Sequence, residues 1–246
     1  MNSLSRYYIP KAEWTSTALV LAGEEAHHCV RVLRGKQGDR LEVFDGEGGS
    51  AMCEITSATK SKVKLLLLSQ HTQEQLSPRV ELCQSIPKGS NMEWIVQKSV
   101  ELGVSSIQPL ISENTVARAE QLEKKRLKWQ RVALEACKQC GQNFLPVVKP
   151  VLQVSDWIKK REHASFELVA ALDPRSHSIQ QVLGGKLAEC ESIRLLIGPE
   201  GDFSQDEYDT FYREEMHFAS IGEIVLKVET ATMFCLSALS YEVGKR

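Results

Sequence analysis

The stretch IRLLIGPEG, residues 193–201, gives the clearest indication of the fold. Its first part is apolar except for Arg194 and runs directly into a turn that contains Gly198 and Gly201. Residues 204–207, Ser-Gln-Asp-Glu, follow with the spacing of a capping box, which begins a helix. In open α/β sheets, ligands bind beyond the carboxyl ends of the strands, so the stretch predicts a ligand site at this turn. A plain tight turn fits the spacing equally well, because glycine turns are common.

Outward from this stretch, strand-like and helix-like segments alternate over residues 78–246. Short apolar segments predict strands, and apolar residues at helical spacing predict helices. The predicted strands lie at 80–83, 107–111, 147–148, 168–172 and 193–197. The predicted helices begin with capping boxes at Ser90 and Ser204, or lie at 120–140 and 229–243. This alternation predicts an α/β domain with a mainly parallel sheet.

The first part of the chain shows a different pattern of apolar residues, in which strands predominate. Its predicted elements are strands at 41–44, 51–56 and 62–68, a glycine-rich turn at 45–49 and a helix at 24–33. We therefore predict a small β-barrel-like domain over residues 1–72. The polar segment 70–78 ends in Pro78 and is the predicted linker to the second domain, residues 78–246.

The composition excludes several classes of protein. The 246 residues carry 30 Lys and Arg against 32 Asp and Glu, a net charge of −2, which argues against a globally basic nucleic-acid binder. No apolar run approaches the roughly 18 residues of a membrane helix. Residues 1–11 lack the apolar core of a signal peptide, and seven cysteines, an odd number, indicate reduced thiols. We therefore predict a cytoplasmic protein with no membrane contact.

Other motifs are less specific. A loop around Gly222 leads into a helix whose start carries Glu229 and Thr230, and capping explains such residues by default. Neither G-x-G-x-x-G nor a Walker sequence is present, so a nucleotide-phosphate cradle is not expected. Cys137 and Cys140 form a lone C-x-x-C without further ligands at suitable spacing, so no metal site is predicted.

Basic residues cluster locally although the protein is acidic overall. Arg31, Arg34, Lys36 and Arg40 form one group, and residues 118–138 contain seven Lys or Arg against three Glu. Phosphate binding needs local positive charge rather than a basic protein. Arg31 and Arg34 lie three apart on the predicted helix, which places them on one face. A solvated helix face remains the simpler explanation of such runs.

Several motifs, spread over nearly the whole chain, occur together in one known family. They are RYYI at 6–9, HxxRVLR at 28–34, KGxxMExIVQKxxELGV at 88–104, IGPEG at 197–201 and VETA at 228–231. In these motifs the chain resembles the ribosomal RNA small-subunit methyltransferase E family, which belongs to the SPOUT superfamily.

The resemblance implies a PUA-like RNA-binding domain over residues 1–72 and a SPOUT methyltransferase domain over 78–246. The C-terminal part of the latter is expected to form a deep trefoil knot, which no sequence pattern predicts by itself because knots are rare. The implied reaction is methylation of uridine N3 in small-subunit (16S) rRNA, with S-adenosyl-L-methionine (AdoMet) as cofactor. The implied partners are a second copy of the chain and rRNA within the assembled 30S subunit.

The resemblance also assigns site residues. Backbone amides of three loops, at 172–174, 197–201 and 221–230, would hold the adenine of AdoMet. The implied cofactor-binding residues are Leu172, Ile197, Gly198, Pro199, Gly201, Ile221, Gly222, Leu226 and Thr230. Glu200 and Glu229 are the candidate general bases, by position. The residues expected to face RNA are Arg6, Arg31, Arg34 and Lys88.

The chain departs from the family pattern at several positions. The family usually has Gly where this chain has Asp202, and it usually has Arg at or near Asn114, Gln142, Ile224 and Lys227. The missing arginines leave two alternatives open. One is an RNA-binding homologue that keeps the knot but has little or no turnover. The other is a SPOUT methyltransferase that acts on a different RNA base.

Overall fold

The computed structural model describes residues 4–15, 18–116 and 121–244. The chain forms two compact units. The first consists of Met1–Gln75 with Cys137–Leu145, and the second of Leu76–Ala136 with Pro146–Arg246. In the described part of the chain, no helix combines the length and the apolar character that crossing a membrane requires.

A mixed β-sheet forms the core of the first unit. Its strands are β1 (Arg6–Tyr8), β2 (Ala18–Ala22), β3 (Arg40–Phe44), β4 (Gly49–Ala58) and β5 (Lys62–Thr72). They lie in the order β1-β3-β4-β5-β2, with β1 parallel to β3 and the other neighbours antiparallel. Alternate residues of each strand face one core, as Leu19 and Leu21 do on β2. Among the described residues β1 and β2 do not pair with each other, so hydrogen bonds do not close the predicted barrel.

The hairpin between β3 and β4 is built around Asp45, as the glycine-rich turn signal predicts. Asp45 Oδ1 accepts hydrogen bonds from the backbone N–H of Glu47 at 2.7 Å and of Gly49 at 2.8 Å. Gly46 and Gly48 have φ of 79° and 101°, a region that favours glycine. The carboxylate thus satisfies two backbone donors in the tight turn.

The helix predicted at 24–33 is interrupted. α1 covers only Gly23–His27, and a turn with the wider π-helical hydrogen bonding follows at His28–Val32. Arg34 has a φ of 57° and lies beyond both segments. The prediction that Arg31 and Arg34 share one face of a regular helix is therefore wrong, although both residues are exposed.

A parallel sheet forms the core of the second unit, as predicted. Its strands are β6 (Arg79–Ser85), β7 (Ser106–Ile111), β8 (Val147–Val148), β9 (Leu152–Gln153), β10 (Phe166–Ala170), β11 (His177–Ser178), β12 (Ser192–Ile197) and β13 (His217–Ser220). Their order is β11-β13-β10-β12-β6-β7-β8, and β9 also pairs with β7. Every pairing that the described strands make in this sheet is parallel.

Helices connect these strands. They are α2 (Asn91–Glu101), α3 (Leu122–Cys140), α4 (Val154–Lys160), α5 (Ile179–Leu183), α6 (Gln205–Arg213) and α7 (Val228–Val243). The capping box predicted at Ser204 is present, because Ser204 and Glu207 exchange side chain-to-backbone hydrogen bonds. The one predicted at Ser90 is wrong. Ser90 has φ −102° and ψ 4°, not the extended backbone that an N-cap uses.

The strand order brings three loops of the C-terminal half together. β12 lies between β10 and β6, and β13 lies on the other side of β10. Because the strands are parallel, their carboxyl ends, Ala170, Ile197 and Ser220, reach the same edge of the sheet. α7 follows β13 after a short loop and packs against β12 and α2. The three loops and the start of α7 therefore surround one space.

A buried hydrogen bond holds α7 against the sheet. The Thr232 hydroxyl on α7 donates to Gln84 Oε1 on β6 at 2.8 Å, and both side chains are fully buried. Leaving such a group without a partner costs about 1–3 kcal/mol, so the bond favours one position of the helix. Glu229 lies one turn earlier on α7, and its place is therefore set by the same contact.

Candidate active site

A cavity of about 430 Å³ lies at the carboxyl edge of the parallel sheet, and we call it the loop cavity. Its walls are the loops after β10, β12 and β13, with the first turn of α7 and Asn91 of α2. The charged residues that line it, among those the structure describes, are Glu200, Asp202, Lys227 and Glu229. The remaining lining is mainly apolar. An apolar cavity with a few polar groups is the usual form of a small-molecule site.

Most of the residues predicted to bind the cofactor line this cavity. Those that do are Leu172, Ile197, Gly198, Pro199, Ile221 and Leu226. Gly201, Gly222 and Thr230 lie beside the lining residues without forming the wall. The structure therefore brings the three predicted loops to one place. Whether each residue contacts a cofactor stays a prediction.

The turn after β12 has no room for a side chain at Gly198. A Cβ atom built there would lie 2.9 Å from Asp202 Oδ1 and 3.1 Å from the backbone N of Phe203. The backbone N–H of Asp202 donates to the carbonyl of Pro199 at 2.9 Å and closes the turn. Glycine is therefore required by the packing of the turn against itself.

Asp202 links two walls of the loop cavity. Its carboxylate accepts hydrogen bonds from the backbone N–H of Phe203 at 2.8 Å and of Leu172, in the loop after β10, at 3.4 Å. Its φ of 59° explains why glycine suits this position, and Asp is one of the few other residues that tolerate it. The departure from the family pattern therefore keeps the backbone shape and adds a contact between loops.

Two residues that the sequence did not single out as contacts steady the same turn. Asn114 Nδ2 donates to the carbonyls of Gly201 and Asp202, at 3.0 Å each. Glu207 Oε1 accepts the backbone N–H of Glu113 at 3.1 Å. Burial raises the pKa of Glu207, although the hydrogen bonds from backbone N–H groups favour its carboxylate. The capping box predicted the place of Glu207 but carried no signal for this second contact.

The two candidate bases stand on different sides of the loop cavity. Glu200 is exposed, and its Oε1 accepts the backbone N–H of Lys88 at 2.9 Å. Glu229 is half-buried in the first turn of α7, and its Oε2 accepts a hydrogen bond from Asn91 Nδ2 at 3.4 Å. Each carboxylate keeps one oxygen outside these bonds. Both are therefore available to a ligand in the cavity.

Arg6, predicted to face RNA, is instead enclosed in the first unit. Its guanidinium pairs with Glu42 at 3.0 Å, donates to the carbonyl of Cys137 at 2.9 Å and also donates to the Asn143 side chain. Its side chain is only 7% exposed. The prediction is wrong for Arg6, because these donors hold the segment Cys137–Leu145 in place. Among the other predicted RNA contacts, Arg31, Arg34 and Lys88 are exposed and stay predictions.

The C-x-x-C motif shows no feature of a metal or redox centre. Cys137 is buried, and burial raises the pKa of its thiol to about 12, which keeps it protonated. Cys140 is exposed. Within residues 4–15, 18–116 and 121–244, no three His, Cys, Asp or Glu side chains are grouped so that they could hold a metal ion.

Two family descriptions match the sequence. The RNA methyltransferase domain matches residues 74–240, and the RNA methyltransferase PUA domain matches residues 21–68. The first match covers the parallel sheet, and the second covers most strands of the mixed sheet.

Named relatives match over nearly the full length. A ribosomal RNA small subunit methyltransferase E from Bacillus subtilis is 29% identical over 228 residues, which cover 90% of this chain and 89% of that protein. The structure is similar to a Legionella pneumophila protein in complex with the bound cofactor SAM, with TM-score 0.88, 30% identity, and coverage of 97% and 98% of the two chains. It is also similar to a ribosomal RNA small subunit methyltransferase E from Neisseria gonorrhoeae bound to S-adenosyl methionine, with TM-score 0.87, 26% identity and the same coverage.

Proposed function

This chain belongs to the RNA methyltransferase domain family, and from that premise we infer that it methylates N3 of a uridine in small-subunit rRNA with AdoMet as donor. The observation that carries the proposal is the loop cavity, formed by the three loops that the resemblance assigns to the cofactor. Similarity over nearly the whole chain to a small-subunit rRNA methyltransferase, and to proteins solved with S-adenosyl methionine, supports it. The choice of uridine N3 rests on the motif resemblance.

The residues of the loop cavity fit AdoMet. Its volume of about 430 Å³ lies within the usual range of small-molecule sites. Leu172, Ile197 and Leu226 would offer apolar surface to the adenine, and backbone groups of the turn at Gly198 would hold it. The carboxylates on the wall favour a ligand with positively charged sulfonium and ammonium groups. When bound, AdoMet supplies an activated methyl group.

The chain's own residues must then position the uracil and remove its N3 proton, because that proton has a pKa well above neutral. In this proposal Glu200 or Glu229, both of which line the loop cavity, accepts the proton. Lys227, which also lines the loop cavity, would stabilise negative charge that develops on the uracil oxygens. Holding donor and acceptor in line supplies much of the remaining acceleration.

We also propose that the C-terminal part is knotted, as the resemblance implies. Two features support this. β12 is inserted between β10 and β6 before the chain returns to β13 on the far side of β10. The loops after β10 and β12 are joined by the Leu172–Asp202 hydrogen bond. An experimental structure traced through residues 166–243 tests the proposal directly.

The two predicted domains divide the work in this proposal. Residues 1–72 bind RNA and residues 78–246 hold AdoMet and carry out methyl transfer. Assignment of residues 21–68 to an RNA methyltransferase PUA domain supports an RNA-binding role for the first. The assembled 30S subunit as substrate and a cytoplasmic location stay predictions from the resemblance.

Neutralising Arg31 and Arg34 together should weaken RNA binding and leave AdoMet binding intact. Each phosphate contact releases counterions, so the salt dependence of RNA affinity should flatten by up to about two units in the double alanine variant. Salt titrations of RNA binding for parent and variant measure this. The matched control is Lys60→Ala with Lys62→Ala, which removes the same charge from exposed positions of the same unit. If the parent and Arg31/Arg34 slopes coincide, the basic residues of 124–138 become the better candidates.

The protein should form a homodimer through apolar surface on α7. Among the apolar residues of α7, Ala231, Leu236 and Leu239 are buried within the chain. The exposed ones are Phe234 at 44% and Tyr241 at 84%, seven residues apart and therefore on one helical face. Uncovered aromatic side chains of this kind mark an interaction surface.

Light scattering should give a mass near twice 27.6 kDa at micromolar concentration. Phe234→Glu should shift the parent protein toward the monomer, because it buries a charge in the proposed interface. Arg213→Glu, at an exposed position of α6, is a control that changes charge elsewhere. A parent protein that is monomeric at micromolar concentration would refute the dimer.

The alternative without turnover has one observation in its favour. Ile224, where the family usually has Arg, lines the loop cavity and is 78% exposed. Incubation of the protein with methyl-labelled AdoMet and unmodified small subunits separates the two functions. We expect label in the small-subunit rRNA. Stable binding of the subunits without label would instead support the RNA-binding homologue.

A further inference from the structure

A second cleft lies at the opposite edge of the parallel sheet from the loop cavity, where β6, β7 and β12 begin. Its volume is about 330 Å³. The starts of the three strands contribute Arg79, Ser106 and Ser192, and the end of α4 contributes Lys160 and Arg161 to the lining. We call it the amino-edge cleft. Nothing in the proposed methyl transfer uses it.

The floor of the amino-edge cleft is an ion network that neutralises itself. Arg194, 5% exposed, donates to Glu81 at 2.8 Å and also pairs with Glu167. Lys149 pairs with Glu81, and Arg161 pairs with Glu167 at 3.2 Å. Arg161 also pairs with a third carboxylate, that of Glu214, at 3.0 Å. Three cations therefore meet three carboxylates, and the floor has no net charge.

Glu81 stays ionised in this network. Burial alone would raise its pKa, but hydrogen bonds from Lys149 and Arg194 outweigh burial and hold the pKa below its ordinary value. The Trp157 ring lies near both Arg161 and Arg194, whose guanidinium carbons are 5.8 Å and 5.6 Å from the ring centroid. The paired charges and the ring make a fixed floor.

The rim differs from the floor because its cations lack partners. Arg79, Lys160 and His163 line the cleft and are exposed, and no carboxylate lies within ion-pair distance of them among the residues that the structure describes. Glu162 is the lining carboxylate that opposes them, and it forms no ion pair with a described residue either. Arg79 and Lys160 against Glu162 leave the rim with one net positive charge. The end of α4 attracts Lys160 by its dipole, but that effect does not explain Arg79 or the concave shape.

We propose that the amino-edge cleft binds a phosphate group, carried either by the RNA backbone or by a free nucleotide. The rim supplies ammonium and guanidinium donors from Lys160 and Arg79. A cleft of about 330 Å³ has room for a phosphate with part of its nucleoside. The neutral floor leaves the rim's positive charge available to such a ligand. The site is independent of the loop cavity and of AdoMet.

The test is calorimetric titration with inorganic phosphate, with uridine monophosphate and with single-stranded RNA of about ten nucleotides. Arg79→Ala with Lys160→Ala should weaken binding of the responding probe at least tenfold. Lys160→Ala alone should weaken it about threefold, a change equivalent to about 0.7 kcal/mol. Lys159→Ala is the matched control, because Lys159 precedes Lys160 on α4, is equally exposed and does not line the cleft. It should bind the probe like the parent.

A response to inorganic phosphate and uridine monophosphate identifies a free phosphate ligand, and a response to RNA alone identifies the backbone; both support the proposal. Absence of binding by all three probes at concentrations up to about 10 mM overturns the proposal, because a dissociation constant above that value does not indicate a specific site. Equal losses of probe affinity in the Lys159 and Lys160 variants also overturn the proposal, since they indicate nonspecific electrostatic attraction to the protein surface. Thermal unfolding confirms that the variants fold, and Lys160→Gln serves if the alanine variant does not. AdoMet titration of the same variants should match the parent, so failure here is separable from failure of the proposed function.

Discussion

Gly198→Val should weaken AdoMet binding at least tenfold, equivalent to about 1.4 kcal/mol. A Cβ atom at this position would lie 2.9 Å from Asp202 Oδ1 and 3.1 Å from the backbone N of Phe203. The turn therefore has to move, and its backbone forms a wall of the loop cavity. The branched side chain of valine increases the conflict. Calorimetric titration of AdoMet against parent and variant measures the loss.

The matched control is Gly201→Ala in the same turn. Its Cβ would meet the side chain of Asn114 at 3.2 Å, and Gly201 does not line the loop cavity. We expect a smaller loss of AdoMet affinity there than at Gly198. Thermal unfolding of both variants checks that the fold is kept. Parent-like AdoMet affinity in a folded Gly198→Val protein would show that the cofactor does not depend on this turn.

Replacing the catalytic base with glutamine should lower turnover by about 10²- to 10⁴-fold, the usual contribution of general acid–base catalysis. The two variants to compare are Glu200→Gln and Glu229→Gln, which keep the shape and remove the charge. Glu200 is exposed at the mouth of the loop cavity, and Glu229 is held in the first turn of α7. Single-turnover methyl transfer to small subunits measures the chemical step. AdoMet titration separates a loss of turnover from a loss of cofactor.

The double variant completes this experiment. If one carboxylate is the base, its single variant and the double variant should lose turnover almost equally, because the second carboxylate takes no part in proton removal. Glu223→Gln is the control, since it removes a carboxylate charge from an exposed residue of the loop after β13 that does not line the cavity. Near-parent turnover in the double variant would refute both assignments. Stabilisation of the anionic, deprotonated uracil by a cation such as Lys227 would then be the remaining explanation of proton loss.

The parts of the fold that follow local rules could be predicted from the sequence. The apolar run before Gly198 is a buried strand of the parallel sheet, and the Ser204 capping box begins α6. The capping box predicted at Ser90 is absent although the segment has the same pattern, Ser followed three residues later by Glu, because the backbone at Ser90 is not extended. The residue types permit a cap, but the preceding loop decides whether the serine can reach the backbone N–H groups.

Two predictions were wrong because of features that the local sequence pattern does not show. Arg6 carries the charge of an RNA contact, but its partners Cys137 and Asn143 are more than 130 residues away, as the separations of 131 and 137 show. The helix predicted around Arg31 changes to π-type hydrogen bonding, and Arg34 takes a left-handed backbone. Helical spacing alone gives no sign of either change.

The candidate site was predictable as loops and not as contacts. The glycines and the strand ends indicated which segments converge, and the resemblance supplied the cofactor. The hydrogen bonds from Asn114 to the turn after β12, and from Leu172 to Asp202, join residues of different loops. Such contacts depend on the strand order, in which β12 is inserted beside β6, and no local pattern determines that order.

The central claim is that this chain methylates uridine N3 in small-subunit rRNA, and mapping of the modified nucleotide tests it most directly. Unmodified small subunits are incubated with the protein and AdoMet, the rRNA is digested, and the nucleosides are identified by mass spectrometry against authentic standards. We expect one new 3-methyluridine, which is absent when AdoMet is omitted. A methyl group on another base, on a ribose or on no rRNA nucleotide would contradict the claim.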